Sequence, residues 1–154
     1  MNIAHSPNNQ IELETLLPAN MERIFNHWTD PEKVIKWFGS ANTQLVSTEV
    51  DLRPGGTWRF VTSKNETGQS YLTGEYIQIT PHSHLSFTWR HVVETDGKTE
   101  ATPDSRVTIE LSTEGAATRL RLVHDGVQTD GARQNIGSGW GDSFEKLAAL
   151  IQSA

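Results

Sequence analysis

Two histidines and a glutamate occupy positions where buried acid–base chemistry is possible. His91 and His124 fall on alternating, inward-facing positions of predicted strands, and Glu75 follows a glycine on another strand. A neutral imidazole, with an unperturbed pKa of about 6.5, can bond a ligand or move a proton. Burial would raise the pKa of the Glu75 carboxyl and suit it to the same work. The competing interpretation is that neighbours satisfy both histidines and that Glu75 points into solvent.

Two further side chains are candidates for contact with the polar end of a ligand. Arg53 precedes a Pro-Gly-Gly turn, where it could meet an anionic group or pair with Asp51 or Glu75. Tyr76 could donate its hydroxyl to a ligand carbonyl or to a backbone group in the core. No nucleophile, base and orienting group occur together in a recognisable motif. The sequence therefore leaves open whether the protein is an enzyme.

Composition excludes several classes of site and partner. The chain has no cysteine, and the histidines at 82 and 84 have metal-like spacing but no third ligand, so we expect neither a metal nor a cofactor. A net charge of −6 without a Lys/Arg cluster argues against nucleic-acid binding. No apolar run approaches the roughly 20 residues that a membrane span needs. The absence of cysteine and of a signal-peptide pattern at the N-terminus favours a cytoplasmic protein.

Hydrophobic periodicity predicts mostly strands between short and long helices. Alternation over 11–16 predicts a first strand, and two short helices follow over about 21–28 and 30–38. Period-two patterns then predict six strands, over 43–51, 57–63, 71–79, 85–93, 106–112 and 118–124, with a polar loop at 95–104. A final helix over about 129–151 carries an apolar stripe of Ile136, Trp140, Phe144, Leu147 and Ile151.

This order predicts an α+β fold in which a curved seven-stranded antiparallel sheet surrounds the long C-terminal helix. We expect a single domain over 11–154, preceded by a short flexible tail over 1–10. One helix is about 10 Å wide, narrower than such a sheet, so part of the concave face is predicted to stay uncovered as a cavity. Alternatively, large rings fill this space as core. The rings expected there are Trp58, Phe60, Phe87, Trp89, Trp140 and Phe144.

Short segments along nearly the whole chain, about 11–152, resemble one known family. Their order and spacing are similar to those of the heat-shock-protein-90 ATPase activator homologue family, in particular its C-terminal domain. The matching segments are 18–19, 23–25, 29–32, 37–39, 51–60, 74–76, 85–89, 105–108, 118–122 and 139–140, together with His124 and Gly126.

The resemblance implies a helix-grip fold, shared with START lipid-transfer domains, the birch-pollen allergen and aromatic polyketide cyclases. In that superfamily a hydrophobic tunnel runs under the C-terminal helix, and its ligands are lipids, hormones and polyketides. His124 and Arg53 match positions of the family. The eukaryotic activator carries an additional N-terminal domain, whereas only about ten residues precede the first strand here, so we do not expect chaperone activation.

The sequence thus predicts binding of a small hydrophobic ligand, lipid-like or polycyclic, between the sheet and the C-terminal helix. The ligand is expected to contact the six rings named above and to be oriented by Tyr76, His91, His124 and Arg53. Two alternatives stay open. One is an enzyme of the polyketide cyclase or hydratase type using His91, His124 or Glu75, and the other is a chaperone-interacting module. A homodimer is also compatible with the sequence.

Overall fold

A computed structural model describes residues 2–6, 10–41, 43–63 and 68–153. The helices are α1 (Met21–Thr29), α2 (Pro31–Val34) and α3 (Asp130–Ser153). The strands are β1 (Asn2–Ser6), β2 (Gln10–Leu17), β3 (Leu45–Val50), β4 (Thr57–Thr62), β5 (Gln69–Thr80), β6 (His84–Thr95), β7 (Lys98–Ala101), β8 (Ser105–Glu114) and β9 (Ala117–Asp125).

The nine strands of the described residues join one antiparallel sheet, in which eight follow the order β1-β2-β9-β8-β6-β5-β4-β3 and β7 pairs with β6 beside this path. The long strand β6 has two neighbours on the same side. Its first half pairs with β8, from His84 opposite Glu110 to Trp89 opposite Ser105, and its last residues pair with β7. The predicted α+β fold is confirmed, with the helices grouped apart from the strands. The seven predicted strands are all present as β2 to β6, β8 and β9.

Three segments differ from the prediction. The second short helix was expected over about 30–38, but α2 ends at Val34. The polar segment 95–104 was expected to be a loop, but it contains β7, paired with β6 through a two-residue turn at Asp96 and Gly97. Both turn residues have positive φ, 48° and 80°. A tight hairpin whose two central residues both have positive φ favours an Asp-Gly pair. Within the predicted flexible tail 1–10, Asn2–Ser6 form a strand along β2, and residues 1 and 7–9 lie outside the described residues.

The two short helices begin at side-chain caps and bury one face. The Asn20 side chain accepts from the N–H of Arg23 at the start of α1, and Asp30 accepts from Glu32 at the start of α2. Trp37, three residues after the end of α2, is fully buried and donates from its indole N–H to the carbonyl of His27 at 2.9 Å. This bond holds the segment after α2 against α1.

The helix α3 lies against the concave face of the sheet. The Thr129 hydroxyl caps its start by accepting from Ala132 N–H at 3.1 Å. The predicted stripe is confirmed from Trp140 onward, because Trp140, Phe144, Leu147 and Ile151 are all buried in the core. Ile136, in the first half, is only half-buried. Within the described ranges, no helix is long and apolar enough to cross a membrane.

Candidate functional site

A cavity of about 340 Å³ lies beneath the first half of α3 and is partly open to solvent. Its walls come from four parts of the chain: α3, the segment after α2, the ends of β4 and β5 that lie side by side, and β6. Ligand pockets commonly measure about 300–1,000 Å³, so the space suits a small organic molecule. The lining residues are Phe38, Gly39, Ser40, Thr43, Thr62, Ser70, Leu72, Trp89, His91, Asn135, Ile136, Gly139, Trp140 and Ser143.

The aromatic part of the wall is a connected set of rings. Trp140 packs edge-on against Phe38, with ring centroids 5.2 Å apart, and Trp89 of β6 also lines the cavity. Leu72 and Ile136 complete the apolar surface. These rings touch other buried rings on their far sides, including Phe60 behind Phe38 at 5.0 Å. The wall is therefore backed by packed core and cannot collapse inward without displacing several side chains.

A polar strip, defined as Thr62, Ser70 and His91, crosses three neighbouring strands on the same wall. The Thr62 hydroxyl lies 2.8 Å from the Ser70 hydroxyl and 2.9 Å from the Ser70 carbonyl. His91 sits opposite Leu72 in the register of β5 and β6, which makes Ser70 its diagonal neighbour. Burial lowers the pKa of His91 below its usual value. Among the described residues, His91 is the only ionisable side chain that lines the cavity.

The second predicted histidine, His124, lies behind the wall in a closed hydrogen-bond network. Its Nδ1 accepts from the indole N–H of Trp140 at 3.0 Å, and its Nε2 lies 2.7 Å from the Ser105 hydroxyl. Ser105 in turn donates to the carbonyl of Trp89 at 3.2 Å. His124 is fully buried, and burial lowers its pKa to about 3. Both ring nitrogens are engaged, so His124 positions Trp140 and does not line the cavity.

The rim of the cavity is a loop held onto α3, and we call residues 39–41 the rim loop. The Ser143 hydroxyl accepts from the Gly39 N–H at 2.9 Å and lies 2.8 Å from the Gly39 carbonyl. Asp142 accepts from the Ala41 N–H, and Lys146 donates to the Ser40 carbonyl, both at 3.0 Å. Gly39 has a φ of +113°, which allows the sharp change of direction after α2. Three side chains of α3 thus position the rim loop.

Four of the predicted ligand-contacting rings surround a different space. Trp58, Phe60, Tyr76 and Phe87 line a core void of about 10 Å³, together with Trp28, Phe38 and Leu85. This volume admits one water molecule at most. The indole nitrogens of Trp28 and Trp58 are buried without a hydrogen-bond partner in the part of the chain that the structure describes. Burial also raises the pKa of the Tyr76 hydroxyl. Phe38 belongs to the walls of both the void and the cavity.

The remaining predicted residues lie away from the cavity. Phe144 is core, packed against Trp28 and Trp140. Arg53 is exposed on the turn between β3 and β4, where its Nε donates to both carboxylate oxygens of Asp51. Glu75 is exposed. Of the predicted set, the structure brings together Trp89, His91 and Trp140. Within the described ranges, no three histidine or acidic side chains are placed to hold a metal ion.

Several lining residues were missed from the sequence, and two of them had a usable signal. Thr62 continues the alternation of Trp58 and Phe60 on β4, and Ser70 precedes Leu72 by two positions on β5. Both side chains were therefore predictable as inward-facing. Ser40 and Thr43, whose hydroxyls are 2.6 Å apart, lie in an irregular segment for which periodicity gives no orientation.

Comparisons with known proteins agree with this architecture. Residues 18–152 match the family described as Activator of Hsp90 ATPase homolog 1-like protein. No curated protein gave a significant match. Protein CV1439 from Chromobacterium violaceum is 27% identical, with a TM-score of 0.79, over 93% of this chain and 96% of that one. The AHSA1 (SPO3351) protein from Silicibacter pomeroyi is 24% identical, with a TM-score of 0.78, over 93% and 97% of the two chains.

A third similar structure is a longer protein. DynU16, from the dynemicin biosynthetic locus, is 20% identical with a TM-score of 0.72, and the match covers 95% of this chain but 48% of DynU16. At this identity the likeness concerns the fold alone. The family match, by contrast, spans most of the chain and includes α3, the rim loop and the strands of the polar strip. This chain therefore belongs to the Activator of Hsp90 ATPase homolog 1-like family.

Proposed function

We propose that this protein binds a small, mainly apolar organic molecule in the cavity beneath α3. The observation that carries the proposal is the cavity itself, about 340 Å³ between the sheet and the helix, with Trp89, Trp140 and Phe38 in its wall. Burial of apolar ligand surface contributes about 25 cal/mol per Å² before ordering costs. A molecule covered on most sides by these rings would be held chiefly by that effect.

Two further facts support this function. The wall is backed by packed aromatic core, so the cavity keeps its shape without a ligand and little reorganisation is needed on binding. DynU16 shares the fold and belongs to the dynemicin biosynthetic locus. That neighbour makes a polycyclic ligand a reasonable first class to test.

The test uses the neutral fluorophore N-phenyl-1-naphthylamine and two glycine variants of α3. A Cβ at Gly139 would lie 3.9 Å from Ser40 Cβ and point into the lining, whereas a Cβ at Gly131 meets nothing within 4 Å. Gly139→Leu should fill the cavity and weaken binding of the probe at least about tenfold. Gly131→Leu, on the same helix, should leave binding unchanged.

Native mass spectrometry of the protein from its own host supplies an independent readout. A co-purified small molecule that is lost in Gly139→Leu and kept in Gly131→Leu would identify the natural ligand class. Equal probe binding by the wild type and both variants would show that the probe binds elsewhere and would refute the proposed site. The absence of both probe binding and a co-purified molecule would refute the function.

An acid–base enzyme of the cyclase or hydratase type is a second candidate, and one observation favours it. His91 is the sole ionisable side chain of the cavity wall within the described residues, and its pKa is lowered by burial, as a neutral general base requires. With a linear poly-β-ketone as substrate, an enzyme would lose turnover in His91→Gln while keeping binding. A carrier would show no turnover in either form.

The predictions of a chaperone contact, a homodimer and a cytoplasmic location have less support from the structure. A chaperone contact is suggested by the family name alone. A homodimer and a cytoplasmic location remain predictions from the sequence.

A further inference from the structure

The chemical character of the cavity wall restricts the polar groups that a ligand can carry. Polar side chains line the cavity in two places: the polar strip, where Thr62, Ser70 and His91 come from three adjacent strands, and the mouth, where Ser40, Thr43, Asn135 and Ser143 lie. At the mouth, the Ser40 and Thr43 hydroxyls bond to each other, the Ser143 hydroxyl bonds to Gly39, and Asn135 is exposed. Ile136 and Trp140 of α3 add apolar surface. A buried polar group of a ligand is therefore best placed at the strip, and the rest of the ligand can be buried against the rings.

The strip offers both a donor and an acceptor. A neutral imidazole has one N–H and one bare nitrogen, and the His91 ring has no hydrogen-bond partner within the described part of the chain; its ring neighbour is Trp89, with centroids 6.5 Å apart. The hydroxyls of Thr62 and Ser70 bond to each other at 2.8 Å and keep lone pairs to spare. A hydroxyl or carbonyl on the ligand would find a complementary partner in either direction.

The described lining offers no charged side chain to balance a ligand charge. Across the residues that the structure describes, no Lys, Arg, Asp or Glu lines the cavity. Lys146 is engaged with the Ser40 carbonyl, Arg53 is paired with Asp51 on a distant turn, and Arg59 stacks over the ring of Tyr71. Burial lowers the pKa of His91, so at neutral pH that ring carries no charge either. An ionised group buried there would lose its hydration without compensation.

We propose that the cavity selects ligands whose polar end is uncharged, a phenolic or alcoholic hydroxyl or a ketone, and directs that end to the polar strip at His91. This inference rests on the proposed function and narrows it. It excludes fatty acids and other carboxylates, and ligands with an ammonium group, from the natural ligand class. A hydroxylated or ketonic polycycle has the required combination of a flat apolar body and a neutral polar edge.

A matched set of three probes tests the selectivity at pH 7.5: naphthalene, 2-naphthol and 2-naphthoate. They share one ring system and differ in having no polar group, a neutral hydroxyl or a carboxylate. Binding is followed by quenching of tryptophan fluorescence, since Trp89 and Trp140 line the cavity. One neutral hydrogen bond typically changes affinity by up to about tenfold. We expect 2-naphthol to bind about tenfold more tightly than naphthalene and at least tenfold more tightly than 2-naphthoate.

Two variants assign the preference to the strip. His91→Leu should reduce the affinity for 2-naphthol to that for naphthalene and leave the affinity for naphthalene unchanged. His84→Leu, on the same strand but outside the lining, should behave as wild type. A circular dichroism melt of each variant shows whether it is folded, and Thr62→Val serves as a second strip variant, expected to lose part of the same preference.

The outcomes separate the inference from the function on which it rests. If 2-naphthoate binds as tightly as 2-naphthol, or if His91→Leu keeps the preference for 2-naphthol, the neutral-end inference is wrong while the binding function stands. If none of the three probes binds to the folded wild-type protein, both the inference and the proposed function are wrong.

Discussion

The indole N–H of Trp140 donates to Nδ1 of His124 across 3.0 Å, and this bond fixes the tautomer of the histidine. Tryptophan can only donate, so Nδ1 must be the unprotonated nitrogen and Nε2 carries the hydrogen. That hydrogen points to the Ser105 hydroxyl at 2.7 Å, and Ser105 donates to the Trp89 carbonyl. One buried network thereby connects the two tryptophans that line the cavity.

A double-mutant cycle measures this connection. His124→Leu leaves the buried Trp140 N–H without a partner, at a cost of about 1–3 kcal/mol, and removes the donor to the Ser105 hydroxyl, which keeps its bond to the Trp89 carbonyl. We expect a loss of about 2–4 kcal/mol in the free energy of unfolding, measured by urea denaturation. In combination with Trp140→Phe, the losses should fall short of additivity by about 1 kcal/mol. Strict additivity would mean that the bond contributes nothing.

The network also makes stability depend on pH. The pKa of His124 is about 3 in the folded protein, against about 6.5 when unfolded. The unfolded state therefore binds more protons between these values, so the stabilisation is complete above pH 6.5 and is lost as the pH falls toward 3. The free energy of unfolding should drop by about 1.4 kcal/mol per pH unit from this group below pH 6.5.

The pH effect has an internal control. Burial also lowers the pKa values of His27 and His91, so their effects have the same sign and add to the wild-type slope. The free energy of unfolding of His124→Leu, measured by urea denaturation between pH 7.5 and 5, should fall less steeply with decreasing pH than that of the wild type. The difference between the two slopes isolates His124. Parallel slopes would show that His124 is not buried as a neutral ring.

The attachment of the rim loop depends strongly on Ser143. Ser143→Ala removes the acceptor of the Gly39 N–H and the donor to nearby carbonyls, and should cost about 1–2 kcal/mol in the free energy of unfolding. Ser153→Ala on the same helix removes an exposed hydroxyl that bonds to Leu150 and should change stability by less than about 0.5 kcal/mol. Equal effects of the two changes would contradict this role of Ser143.

Arg53 is expected to matter little for ligand binding despite its match to the family. Its side chain is 71% exposed, and its partner Asp51 is 50% exposed. Exposed ion pairs contribute roughly 0–1 kcal/mol. Arg53→Ala should leave the affinity for N-phenyl-1-naphthylamine within about twofold and the free energy of unfolding within about 0.5 kcal/mol. A large loss of affinity would reveal a contact that this geometry does not provide.

The sequence predicts the sheet and helix well because their signals are local. Alternation on β6 placed Trp89 and His91 on one face, and both line the cavity. Alternation on β4 and β6 also placed Trp58 and Phe87 inward, yet these rings close around a void of about 10 Å³. Facing inward is a property of the strand, whereas being covered depends on Phe38 and α3, which meet the sheet only in the folded chain.

Other features were missed for different physical reasons. The hairpin with β7 was hidden by its polar composition, although Asp96 and Gly97 carried the turn signal. The rim loop has no period, and its position follows from three side chains of α3 more than 100 residues away along the chain. His124 could be predicted as inward-facing. Its separation from the cavity by Trp140 depends on how α3 packs against the sheet, and strand alternation does not specify that packing.

Phe38 contributes one face to the cavity and another to the core void near Trp58. The Phe38 ring thus separates the cavity from the core void. Within the same backbone, a shorter residue at position 38 would merge them and open the unpartnered indole nitrogens of Trp28 and Trp58 to a bound molecule. Exchange of this one side chain would thereby change the length of the space available to a bound molecule.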